Sequence, residues 1–254
     1  MKTLRTRLLT AMFALFLFST SAQEGKSKMF WVHEDPVKPS KVGQYEEAAK
    51  QLVDNMNKHN IQGTSWICSN TSDFRYLYIT PIENMADLDK NTMAPLFEKM
   101  GDEAGKMFDK MNECYDRHTD YIITLHPSIS YQPGGINQTP DGMNFRKFIY
   151  VYTTPGESGK LWNAFKEVKE FFAKKGSKQH YRVYTGGFGT PENFFMVAIA
   201  GSDPASYESA AAENDKLLGD ERWEVFNKIL DHSIRFEEYT GTMRPDLAYS
   251  PKND

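Results

Sequence analysis

The sequence predicts an α+β fold in which two successive βαββαβ units lay their antiparallel sheets face to face. Three observations carry this reading. One punctuation mark is used twice: Met100-Gly101-Asp102-Glu103, followed by Phe108 and Lys110, returns at the same spacing as Leu218-Gly219-Asp220-Glu221, followed by Phe226 and Lys228. Segments of strand and helix periodicity stand around each copy in the same order, the signature of an internal duplication. Between the copies runs Pro133-Gly134-Gly135-Ile136-Asn137-Gln138-Thr139-Pro140-Asp141-Gly142, rich in turn formers and polar residues as a linker is. The organisation expected is a leader at 1–22, repeats at 23–133 and 145–254, and a linker at 134–144.

Each element has its own justification. The apolar and aromatic run Phe30 to His33 reads as a first strand, and Ile149 to Tyr152 as its counterpart. Helices follow at Val42 to His59 and Gly159 to Lys175, where residues such as Tyr45, Ala49, Leu52 and Met56 recur three or four apart. Second strands are expected at Thr64 to Cys68 and Tyr181 to Thr185, and third strands at Phe74 to Ile79 and Phe194 to Ile199. In the repeated Gly-Asp-Glu mark, glycine suits a left-handed helix end and aspartate suits the amides that open the next helix. Final strands run near Tyr121 to His126 and Ile234 to Tyr239. The order strand, helix, strand, strand, helix, strand is the ferredoxin-like arrangement. Gly186-Gly187-Phe188-Gly189 joins two strands, so it reads as a hairpin and not as a phosphate loop, which would lead into a helix.

Such a sheet carries helices on one face and must cover the other. In the first strands Phe30 and Val32 alternate with Trp31 and His33, and Ile149 and Val151 with Tyr150 and Tyr152. In the third strands Leu77 and Ile79 alternate with Tyr76 and Tyr78. The purely apolar set suits the helices. The aromatic set, Trp31, Tyr76, Tyr78, Tyr150 and Tyr152, with Tyr184 from another strand, is expected to line a pocket between the sheets.

Composition bounds the function. The chain has 254 residues, 40% hydrophobic and 25% charged, with a net charge of -4, which excludes a disordered tail and a broad electrostatic grip on nucleic acid. Lys2, Arg5 and Arg7 precede the apolar run Leu8 to Phe18 and the small residues Ser19 to Ala22. That is the layout of a secretory signal cut after Ala22, giving a secreted or periplasmic chain with no membrane segment after cleavage. In an oxidising compartment Cys68 and Cys114 are either bridged or buried as free thiols; with no Cys-x-x-Cys, neither arrangement is a redox motif.

On element order and the repeated Gly-Asp-Glu mark, nearly all of the chain after the leader resembles the dimeric α+β barrel superfamily, most of all its tandem NIPSNAP-type members. The resemblance implies two ferredoxin-like units that put their sheets together, and a range of activities: cofactor-independent monooxygenases of antibiotic biosynthesis, haem-degrading monooxygenases, haem-containing chlorite dismutases and small isomerases. Shared fold does not select among them. The haem degraders' Asn, Trp and His constellation does not map here: Trp31 and Trp66 are present, but His33 stands where the Asn is sought.

His33 is the candidate catalytic base, expected at the end of the first strand between the sheets. His118 and His232 occupy equivalent places in the two halves, where a histidine near a helix end favours the exposed carbonyls; haem ligation by one of these, or by His126 at a strand end, is the alternative. No spacing of His and carboxylates resembles a zinc motif, so no metal is expected. Arg182 shares a face with Tyr184, either holding a ligand anion or snorkelling to water. Met100, Met107 and Met111 read as plastic core. The expectation is an exported barrel, monomer or homodimer, that binds a small apolar or aromatic molecule and acts on it by cofactor-independent oxygenation or proton transfer. Its alternatives are a filled, structural barrel and a haem protein.

Overall fold

In the computed structural model, residues 25–252 are described; the leader expected at 1–22 lies outside them. The first repeat contains β1 (Lys28–Pro36), α1 (Val42–His59), β2 (Ile67–Thr71), β3 (Arg75–Ile82), α2 (Ala94–Met100), α3 (Asp102–Asn112) and β4 (Thr119–Leu125). The second contains β5 (Phe145–Tyr152), α4 (Ser158–Lys175), β6 (Tyr181–Gly186), β7 (Phe194–Gly201), α5 (Pro204–Leu218), α6 (Arg222–Asp231) and β8 (Arg235–Met243). The halves thus share one element order. All eight strands close into one antiparallel barrel in the order β1-β3-β2-β8-β5-β7-β6-β4, with β2–β8 and β4–β6 as the seams between repeats.

Both Gly-Asp-Glu marks sit at a helix-to-helix corner, with Gly101 at φ 58° between α2 and α3 and Gly219 at φ 65° between α5 and α6. The glycines supply the expected positive φ, which costs a side-chain-bearing residue dearly, but with ψ of -136° and -169° neither takes the left-handed helical conformation expected of a helix end. The aspartates do not cap as expected: neither following helix has a side-chain cap bond. Asp102 and Glu103 instead place negative charge in the first turn of α3, where the helix dipole favours it.

The core forms three layers. Inside the barrel, Phe30, Val32, Leu77, Ile123, Leu125, Phe148, Tyr150, Tyr184, Phe194, Met196 and Ala198 are buried against one another, with Tyr152 half-buried beside them. Outside the first sheet α1, α2 and α3 pack on Cys68 and Tyr76. Outside the second, α4, α5 and α6 pack on Val151, Tyr181, Val183 and Phe195. The two thiols are free and buried, and Met107 and Met111 are core.

The face assignment holds in the second repeat and fails in the first. Tyr150, Tyr152 and Tyr184 belong to the barrel cluster, with Ile149 and Val151 on the helical side. In the first repeat Phe30, Val32, Leu77 and Ile79 enter the barrel, whereas Tyr76 and Tyr78 pack toward α1 and Trp31 and His33 share their side of the sheet. The cause is register. Aligning Phe30 with Ile149 is one residue out, and a one-residue slip exchanges every side chain between faces. The inward side chains of both repeats form one buried cluster, and a cleft of about 430 Å³ is bounded by its members Phe30 and Ile79 together with Gln138.

The segment joining the repeats closes one end of the barrel. Arg146 and Arg182 are each 2% exposed. Arg146 donates to the carbonyls of Gln138, Met143 and Phe145, and Arg182 to that of Asn137. Arg182 therefore does not snorkel. At the opposite end Glu34 accepts from the Tyr121 hydroxyl at 2.8 Å, and the Arg75 guanidinium lies 4.3 Å over the Tyr239 ring.

Candidate functional site

The side chains that β1 turns toward the helices meet the start of β4. Within β1, Trp31, His33 and Asp35 alternate onto one face, and pairing of His33 with Asp120 across the ladder brings a second carboxylate beside them. Asp120 Oδ1 accepts from Trp31 Nε1 at 3.0 Å and lies 2.9 Å from His33 Nδ1. On the other edge of the ring, His33 Nε2 is 3.2 Å from Asp35 Oδ1. Asp35 is 1% exposed, and its Oδ1 finds no aligned hydrogen-bond donor. Its Oδ2 accepts from the Tyr45 hydroxyl at 2.6 Å, and Tyr45 lies 2.9 Å from the hydroxyl of Tyr78. His118 completes the group, its ring centroid 5.0 Å from that of His33 and its Nε2 3.9 Å from Asp120 Oδ2.

Electrostatics follows from this enclosure. Burial works against a charged His33, but the contacts and charges of Asp35, and then of Asp120, outweigh it and raise the imidazole to about 9. His33 lies on the helical side of β1, with Trp31 and Tyr78, and not between the sheets where it was expected. Burial pushes the Tyr45 and Tyr78 hydroxyls well up, so both stay protonated.

A cleft of about 680 Å³ opens beside this group, bounded by Trp31, Thr80, Pro81 and Ile82 on the sheet side and by Asp87, Leu88 and Met93 across from them. Trp31 is thus both a wall of the cleft and a donor to Asp120. The corresponding helix-side space of the second repeat is different in kind: about 500 Å³ lined largely by apolar residues such as Val151, Phe165, Phe172, Ile199 and Phe226.

The remaining expected residues disperse. Tyr76 donates to Glu46 at 2.6 Å on the helical side. Tyr150, Tyr152 and Tyr184 belong to the cluster inside the barrel. His232 caps α6 and lies 2.8 Å from Glu157 Oε2, which fits the helix-end role; His118 is not at a helix end and joins His33 instead. Asp35 and Asp120 were not singled out from the sequence. Their signal was the alternation Trp31-x-His33-x-Asp35 and the placement of Asp120 two residues after His118.

Three of the histidines weighed as haem ligands already have polar partners. Both ring nitrogens of His33 face carboxylates, those of His126 face Ser27 and Thr185, and His232 faces Glu157. The large apolar space of the second repeat has no histidine on its wall.

No family model and no curated protein matches the sequence. Solved structures do match the fold. An anthrone oxidase-like protein aligns over 85% of this chain and 91% of its own, at 13% identity and a TM-score of 0.58. A candidate monooxygenase from Lactobacillus acidophilus NCFM aligns over 88% and 99%, at 14% identity and a TM-score of 0.52. The chain has the dimeric α+β barrel fold. A further candidate monooxygenase of that fold, from Fusobacterium nucleatum subsp. nucleatum ATCC 25586, aligns over 85% and 92% at 13% identity and a TM-score of 0.53. In this dimeric α+β barrel the eight strands come from a single chain.

Proposed function

We propose that this protein binds a small, largely apolar, ring-bearing molecule in the cleft walled by Trp31 and acts on it by monooxygenase-like oxygenation or proton transfer. The observation that carries the reading is the dual position of Trp31. The Trp31 side chain bounds a ligand-sized space, and its N–H shares Asp120 with His33, so the indole links the cleft to a group of ionisable side chains. The anthrone oxidase-like and monooxygenase neighbours support an electron-rich polycycle as the first compound to try.

The test is oxygen consumption and tryptophan fluorescence with anthrone as the probe. Saturable quenching together with oxygen uptake is expected. Trp31→Ala should weaken binding, and His33→Ala should slow uptake by roughly 100-fold or more, the ordinary contribution of a group that transfers a proton. Absence of both signals across a panel of aromatic compounds would overturn the proposal. The packed barrel interior favours one second reading, a non-catalytic scaffold, and that same negative result would support it. Export through residues 1–22 belongs to the proposal as well; recovery from the producing cell of a chain that still begins at Met1 would count against it.

A further inference from the structure

We infer that His33, Asp35 and His118 form a binding site for a divalent first-row transition metal. Each offers one ligand atom, and the three atoms lie within 4.8 Å of one another. Two imidazoles and one carboxylate make a donor set suited to zinc, cobalt or non-haem iron. The inference is independent of the proposed reaction, because it concerns occupancy and not turnover.

Three features distinguish this group from a chance gathering of polar side chains. First, Asp35 Oδ1 is a buried carboxylate oxygen that makes no aligned hydrogen bond and has His33 Nε2 3.2 Å away, so a cation seated between the two would satisfy it. Second, the atoms not needed for ligation are already held. Asp35 Oδ2 is fixed by Tyr45, and His33 Nδ1 is fixed by Asp120, which leaves Oδ1 and Nε2 facing each other at 3.2 Å. A carboxylate behind a ligating histidine sets its tautomer and orientation, and Trp31 pins that carboxylate in turn. Third, the spacing is close to what a metal requires. Bonds of about 2.0–2.2 Å put neighbouring donors roughly 3–3.5 Å apart, so the His33 and Asp35 atoms already stand correctly and His118 has only to swing inward. The side chain of His118 is 53% exposed, which leaves it free to do so. Positions not taken by protein would face solvent.

Metal would bind between His33 Nε2 and Asp35 Oδ1, with Asp120 holding the other ring nitrogen of His33. Removing Asp120 would therefore loosen the site without removing a ligand, which makes Asp120 a positioning residue.

The experiment uses tag-free protein stripped with a chelator and titrated with cobalt(II), read by its visible absorption bands and by calorimetry with no organic substrate present. One equivalent is expected to bind. His118→Ala should weaken it at least tenfold, and Asp120→Asn by roughly 10- to 100-fold, with His126→Ala and His232→Ala unchanged. Because His118 lies at the surface, its variant is expected to fold even if substitution of buried Asp35 does not. Lack of saturable one-equivalent binding, or a His118→Ala titration that superimposes on the wild type, would overturn the inference. Metal binding without oxygen uptake would leave it standing while the proposed reaction fell, and uptake without metal binding would do the reverse.

Discussion

Single side chains tie the far end of the molecule to its first helix. Arg244, just beyond β8, forms a hydrogen-bonded ion pair with Glu46 of α1 and reaches Asp246 at 2.8 Å. The Arg244 contact, helped by the Tyr76 hydroxyl, holds the Glu46 carboxyl below its ordinary range despite the opposing effect of burial. A carboxyl whose folded pKa is depressed stabilises the fold above its unfolded value of about 4.3, and that contribution is lost as pH falls through the lower folded value. Glu46→Gln is therefore expected to cost ~1 kcal/mol at neutral pH and nothing in strong acid. Melting curves of both proteins across the acid range should converge; a constant gap would show that the charge is not what matters. At this scale the sequence was partly legible. His33 stood out as a titratable residue in an aromatic strand, but its partners Asp35 and Asp120 are ordinary surface-type residues, and only strand pairing brings Asp120 across to it. Of the two readings of Arg182, snorkelling fails because its acceptor is the backbone carbonyl of Asn137, and carbonyls have no sequence signature.

The elements that place the site come from both repeats. The hairpin turn Gly186-Gly187-Phe188-Gly189 lies along β4: Ile122 N–H donates to the Phe188 carbonyl at 2.8 Å, and Gly187 N–H donates to the Ile122 carbonyl at 2.9 Å. A Cβ on Gly189, whose φ is +87°, would come within 2.5 Å of the Asp120 carbonyl oxygen. Gly189→Ala should thus push the turn off the strand that carries Asp120, costing about 1–3 kcal/mol. Thermal denaturation would register the loss, and an unchanged melting temperature would mean the turn yields freely. Helix boundaries were the most legible elements. Val42 to His59 coincides with α1 because periodic apolar positions run without interruption to the left-handed residue Asn60. Strand faces were the least legible. Alternation fixes which residues share a side, but both alternating sets of β1 are rich in large apolar or aromatic side chains, so nothing local says which set faces the helices.

As a whole molecule, the barrel exists because each sheet ends in strands that need partners. β2 closes on β8, where Gly241 approaches within 2.7 Å of the Asn70 carbonyl oxygen as measured from its notional Cβ, and β4 closes on β6. A chain of residues 23–133 alone would leave two such edges open, and open edges recruit other strands. Light scattering on that fragment is expected to find dimers or larger species, and a stable monomer would contradict the account. The doubled architecture was legible because Gly101 and Gly219 share a backbone requirement that few residues meet. How the barrel interior packs was not, since it depends on contacts such as those of Phe148, Tyr150 and Phe194 that form only once both sheets are in place. The outer flanks of the two sheets carry the final consequence. Rings assembled from two identical chains repeat every surface, so whatever charge is tuned on one flank is imposed on the other. Covalent tandem joining lifts that obligation: one flank here carries the Trp31, His33, Asp35 and Asp120 group while its counterpart carries a space lined largely by apolar residues, and a mutation alters one flank at a time.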